Sequence, residues 1–210
     1  MSLVLAADYR VPDFDHWWAR LTGDLPRLPS LGAHHIVVYR SLDDASRVFV
    51  TIGVRERGPV DALLRSPVMF SWFDSAGVEE IPPLFAGEVV EKLELAGDAA
   101  APAVPGAVIV AAIAPVGRLE GFEGLDRLRA SVHAAVARLA ASGVRRFWIY
   151  RALDDQAEVM ILLQIATERQ AEQWIRHPDA AAAFMAEAGA GAYPPLFVGR
   201  LVQAIEVPGD

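Results

Sequence analysis

Residues 2–9 alternate weakly and are apolar enough for a first strand, and apolar positions then regroup at helical spacing, which places a strand before a helix. Pro12 ends the strand because it has no N–H for a ladder bond, and Asp13 reads as an N-cap. Phe14, Trp17, Trp18 and Leu21 follow at i, i+3, i+4 and i+7, one buried helical face with His16 turned away from it. Gly23, Pro26 and Pro29 are expected to break this helix early, and Gly32 resets the chain for a strand over 34–40. Asp43 and Asp44 favour a turn over 41–46, which leads into a third strand over 47–55. Gly58-Pro59 opens a helix, and Ser66-Pro67 opens another carrying Met69, Phe70, Trp72 and Phe73. A strand over 84–95 completes the order strand, helix, strand, strand, helix, strand.

That order then recurs. Tyr39-Arg40-Ser41-Leu42-Asp43-Asp44 returns as Tyr150-Arg151-Ala152-Leu153-Asp154-Asp155, an offset of 150 − 39 = 111 residues. Pro82-Pro83-Leu84-Phe85 with Gly87 returns as Pro194-Pro195-Leu196-Phe197 with Gly199. Such self-similarity marks an internal duplication. In the second copy a strand is expected over 107–114. One long helix follows, with Leu125, Leu128, Val132, Val136 and Leu139 on its buried stripe and Gly143 as its cap. Strands over 145–151 and 157–166 lead to a capping box at Thr167 and Gln170. That helix bends at His177-Pro178 and runs toward Gly189, before a last strand over 196–207. Residues 96–106 are alanine, proline and glycine with one acid and Val104, a linker composition, so the chain divides into 1–95, 96–106 and 107–210. Residues 158–165 are almost continuously apolar although a hairpin makes their pairing antiparallel, so both faces of that strand must be covered.

Composition narrows the function classes. With 53% hydrophobic and 22% charged residues the chain can build ample core. A net charge of −8 argues against nucleic acid, which needs clustered cations. The chain contains no cysteine, so thiolate chemistry and disulfides drop out. No apolar run approaches the roughly 20 residues of a membrane helix, and residues 1–11 lack the pattern of an export signal. A cytoplasmic protein without a membrane partner is the expectation.

Two copies of this order, the Trp174-Ile175-Arg176-His177-Pro178 bend and the Pro-Pro-Leu-Phe lead into each last strand resemble the dimeric α+β barrel superfamily. The resemblance spans residues 2–95 and 107–207. It implies an α+β fold of two ferredoxin-like βαββαβ repeats whose antiparallel sheets pack together as an intrachain α+β barrel. The chain would then be a pseudo-dimer, with further homodimerisation open. The superfamily includes cofactor-independent monooxygenases acting on aromatic polyketides, haem-degrading enzymes, lactone isomerases and members without assigned activity. Its monooxygenase and haem-degrading branches typically use an asparagine, and this chain has none.

Candidate chemistry is sparse. Trp17, Trp18, Tyr39, Trp72 and Phe73 either line an apolar pocket or form the core, and packing is the simpler reading. In the second copy the small residues at 180–183 replace Met69 to Trp72, which favours a cavity there. Tyr150, Trp174 and His177 are the candidate residues for orientation and proton transfer, with His177 also placed to cap the turn after it. His34 and His35 begin a strand and are expected to face opposite sides. His133 borders its helix stripe. No histidine pair has metal-ligand spacing, and no phosphate loop or nucleophile elbow occurs, so no metal and no dedicated cofactor are expected. Three functions remain: binding or oxidation of a small hydrophobic or aromatic molecule, non-catalytic binding of a ligand or partner, and a haem-binding variant.

Overall fold

The computed structural model describes residues 3–95, 106–116, 123–177 and 195–207. Its first half runs β1 (Leu3–Arg10), α1 (Phe14–Asp24), β2 (Ala33–Ser41), β3 (Arg47–Val54), α2 (Arg57–Leu64), α3 (Pro67–Ser75) and β4 (Leu84–Glu94). The second half runs β5 (Val108–Pro115), α4 (Glu123–Ala134), α5 (Val136–Ala141), β6 (Val144–Ala152), β7 (Glu158–Ile165), α6 (Glu168–Arg176) and β8 (Phe197–Glu206). Of the expected linker, 96–106, all but Gly106 lies outside the described residues, as does the stretch 178–194, where the helix was expected to bend and run on.

Local rules place these boundaries. Asp13 caps α1 by accepting from the His16 N–H, Ser66 caps α3 from Val68, and Thr167 caps α6 from Gln170. Helix α1 continues through Gly23 to Asp24, one residue past the expected break, and 3-10 turns at Leu25–Arg27 and Pro29–Leu31 then carry the chain to Gly32. Gly32 adopts φ 72°, a left-handed value that suits glycine. The single long helix expected in the second half is divided at Ala135. Its N–H is shared between the Ser131 and Val132 carbonyls, a tightened turn that ends α4 before α5 begins.

The eight strands close into an antiparallel barrel in the order β1-β3-β2-β8-β5-β7-β6-β4. Within that ring each half keeps its own ferredoxin-like sheet, β4-β1-β3-β2 and β8-β5-β7-β6. The two sheets are joined edge to edge. β4 pairs with β6, and β8 pairs with β2, so both edges of each sheet are satisfied by the other half. The arrangement is pseudo-dimeric, and the sheet edges that would attract a second chain are consumed within one.

Three apolar clusters follow from the pleat. Outward residues of β1 to β3, including Leu5, Tyr9, Val38 and Val50, pack with Trp17, Leu21, Val60 and Phe73 beneath the first-half helices. Val110, Phe147, Ile149 and Leu163 do the same with Leu128, Val132, Leu139 and Ala171 in the second half. Inward residues fill the barrel, with Tyr39, Phe49, Phe85, Met160, Leu162, Phe197 and Leu201 at its centre. Strand β7 therefore has both faces covered, as its continuous apolar run requires. The halves also interlock: Leu42, Val90 and Leu93 pack into the second-half helical layer, while Leu153, Val202 and Val207 pack into the first.

The duplicated Phe-x-Gly has a packing cause. Phe85 and Phe197 point into the barrel and fold back over the glycine two residues later, so that a Cβ on Gly87 would lie 2.4 Å from the Phe85 ring. The same atom on Gly199 would lie 2.3 Å from the Phe197 ring, and at both glycines it would stand 2.8 Å from a carbonyl oxygen of the neighbouring strand, Arg151 or Arg40. Only a residue without a side chain lets the two sheets meet here. Gly87→Ala and Gly199→Ala should each cost about 2 kcal/mol in denaturant unfolding, the range of an overpacked core. A loss below ~0.5 kcal/mol would contradict the close approach.

Candidate functional site

The site is built where the ends of β1 and β3 meet the loop between α3 and β4. Here a cleft of about 410 Å³ opens between Asp8, Tyr9, Arg10 and Arg47 on one side and residues 79–83 with Pro195 on the other. Alternation along β1 sets its chemistry: Tyr9 belongs to the aromatic layer beneath the helices, while its neighbours Asp8 and Arg10 point the other way. The second half contributes Pro195.

Tyr9 touches the cleft, but its ring is buried beneath the helices behind it. Its ring meets Trp17 edge-on at 6.1 Å and Phe73 at 5.5 Å between centroids. Burial pushes its hydroxyl well above the ordinary tyrosine range; the nearby Trp17 indole, set short of hydrogen-bond geometry, opposes this by less. Tyr9 is therefore a neutral donor and not a base. Trp17 is 0% exposed and its Nε1–H has no acceptor among the described residues. Trp72, by contrast, donates to Asp24 at 3.0 Å, which ties α3 to the end of α1.

The polar wall is an ion pair. Arg47 grips Asp8 with two hydrogen bonds, Nε to Oδ1 at 2.8 Å and Nη2 to Oδ2 at 2.5 Å. Its remaining Nη1 donates to the Leu196 carbonyl at 3.2 Å, and the guanidinium carbon lies 5.3 Å from the Phe197 ring centre. Arg47 thereby pins β3 of the first half to the start of β8 in the second. The asymmetry between the halves is chemical. Leu3 pairs with Val54 and Val108 with Ile165, so β5 follows β1 by 108 − 3 = 105 residues and Asp8 corresponds to Ile113. Arg47 corresponds to Glu158, whose carboxyl is raised by burial first and by Asp154 and Asp155 next.

The acid pairs of the hairpins serve the turns. Asp44 accepts from the Ser46 hydroxyl and N–H and from Arg10; the Ser46 hydroxyl is the largest influence holding its pKa down to about 2. Ser41 donates to Asp43.

The residues proposed from sequence fall on two sides of the second sheet. Tyr150 faces the barrel interior beside Tyr39, and burial pushes its hydroxyl up to about 12. Trp174 packs partly buried in the helical layer on the opposite face. His177 is the exposed C-cap of α6, its N–H bonded to the Gln173 carbonyl. Trp174 and His177 share a helix end, and Tyr150 does not join them. Of the other histidines, His16 sets Nε2 3.2 Å from the Ser75 carbonyl and His133 lies 3.6 Å from Glu91. His34 and His35 do not face apart as expected: their rings touch. No described histidine lines the cleft, and among the described residues no three ligating side chains converge on a metal position. The cleft itself was not read from sequence, because its residues come from four separated segments.

No protein-family profile matches the chain, and no curated protein matches its sequence. Solved structures do match. An anthrone oxidase-like protein superposes with TM-score 0.71 at 14% identity over 98% of this chain and 93% of that one. The fold is that of the dimeric α+β barrels. A ferredoxin-fold protein from Listeria monocytogenes, described as related to antibiotic biosynthesis monooxygenases, matches this barrel with TM-score 0.53 at 9% identity over 97% and 95% of the chains. A haem-degrading enzyme from the same organism matches with TM-score 0.50 at 9% identity over 94% and 98%. Among the described residues no helix is long and apolar enough to cross a membrane.

Proposed function

We propose that this α+β barrel binds a small, largely aromatic molecule in the cleft beside Tyr9. The carrying observation is the cleft itself: about 410 Å³, of ligand size, with Ile81 and the prolines as apolar lining and the Asp8–Arg47 pair as polar lining. A planar ligand would lie against Ile81 and Pro82 and face the Asp8–Arg47 pair with its polar edge.

The finer reading is oxidation of that molecule by dioxygen without a dedicated cofactor, by analogy with the anthrone oxidase-like neighbour. For a tricyclic anthrone the balance is simple: the central methylene becomes a carbonyl holding one oxygen atom of O₂, and the other leaves as water. The second reading is binding without turnover, favoured by the lack of a histidine in the cleft lining. In the second half Trp174 and His177 remain the proposed contacts for a separate site at the end of α6, and Tyr150, on the other face of the sheet, would serve only a ligand inside the barrel.

Anthrone titrated into the full chain should raise its melting temperature and quench tryptophan fluorescence. Oxygen uptake separates the two readings. Absence of any shift with anthrone or similar tricyclic phenols would overturn the binding proposal.

A further inference from the structure

Consecutive residues of a regular strand point to opposite faces, yet His34 and His35 meet. The cause is a bulge: β2 loses register with β3 between Ala33 and His35, so two residues oppose one. The rings lie 4.3 Å apart at 70°, and Nδ1 of one is 2.8 Å from Nδ1 of the other. His35 lies over its register partner Gly53, where a Cβ would come within 2.1 Å of the imidazole. The recess belongs to the first half alone: at the 111-residue offset Gly53 becomes Gln164, and the paired histidines become Arg145 and Arg146.

At 2.8 Å the contact needs one Nδ1 bearing a proton and the other bare. The pair can stay in contact with both rings neutral or with one charged. When both are charged, two N–H groups and two positive charges face each other, and the contact fails. The pair stands at the seam between the halves. The His34 carbonyl accepts the Val207 N–H at 3.0 Å, and His35 is the register partner of Glu206 on β8. Two charged residues stand near the pair: Arg55 after β3, whose charge disfavours a proton on His34, and Glu206 on β8, the register partner of His35; Gly53 offers none.

We propose that the His34–His35 pair is a proton-operated latch on the β2–β8 seam, closed with at most one proton bound and released when both rings are protonated. Burial lowers the proton affinity of both rings, with Arg55 adding to this for His34 and His34 for His35. A histidine held below its unfolded value of about 6.5 stabilises the closed form fully above that pH, and the contribution is lost as pH falls from there through the lower folded value. Release is therefore expected in mildly acidic solution.

The test compares the full chain at pH 7.5 and 5.0, following the exchange protection of the Val207 amide relative to amides of the β5–β7 ladder. Protection at Val207 should fall about tenfold or more at pH 5.0, corresponding to uptake of at least one proton on opening. His34→Gln and His35→Gln should abolish that selective fall, whatever they do to overall stability. Imidazole ¹⁵N shifts of the unsubstituted protein give a second readout that needs no variant: two coupled titrations, the second displaced to lower pH. Two independent titrations near 6.5, or an unchanged Val207 protection ratio, would overturn the latch.

Discussion

Replacing Trp17 with alanine should cost about 4 kcal/mol of stability, among the largest losses from any single substitution in this chain. The indole is wholly buried, contacts Tyr9, Phe14 and Trp18, and lies where α1 rests on the first sheet. Its truncation leaves a cavity whose aromatic walls are held by strands on one side and α3 on the other, so little collapse can offset it. Trp17→Phe separates volume from polarity. Because Nε1–H has no acceptor among the described residues, the phenylalanine variant loses no hydrogen bond to them and should cost only about 1–2 kcal/mol. Urea unfolding with both variants checks the pair. Equal losses would mean that the indole N–H has a partner worth more than the volume.

Replacing Arg47 with methionine should cost about 2–3 kcal/mol, for a different reason. The aliphatic part of the side chain is preserved, but the Asp8 carboxylate, mostly buried, is left without its two donors, and the start of β8 loses the hydrogen bond to Leu196. The double substitution Asp8→Asn with Arg47→Met removes the stranded charge and should recover more than half of the loss. If the double variant is as unstable as the sum of the singles, the two residues are not coupled and the pair is not what closes the cleft.

These two residues also mark what the sequence makes legible. Trp17 is readable because α1 repeats its apolar positions at helical spacing behind an aspartate cap, and the Pro-Pro-Leu-Phe-x-Gly phrase is readable because it occurs twice. Both signals are local, and duplication doubles the second. The closure of the barrel was legible through β7, whose apolar run demands cover on both faces. Arg47 carries no such signal. Its partners lie 39 and 149 residues away, and the equivalent position in the other half is a glutamate, so neither periodicity nor repetition exposes it. The histidine pair is the converse case. Adjacent residues were assigned to opposite faces by strand alternation, and one bulged residue reversed the result. The cleft beside Tyr9 stayed hidden because its walls come from β1, the start of β3, the loop before β4 and the lead into β8.

The central claim is that each half's last strand completes the other half's sheet, so that one chain closes the barrel. Hydrogen exchange at neutral pH tests it at three amides on the seams: Leu42, bonded to the Val198 carbonyl, and Leu95 and Leu153, bonded to those of Arg145 and Ala86. The closed barrel predicts protection within about tenfold of the β5–β7 ladder, because seam and ladder open together. Exchange of these three at the rate of free amides, with the ladder still protected, would mean two separate sheets with exposed edges and would contradict the structure.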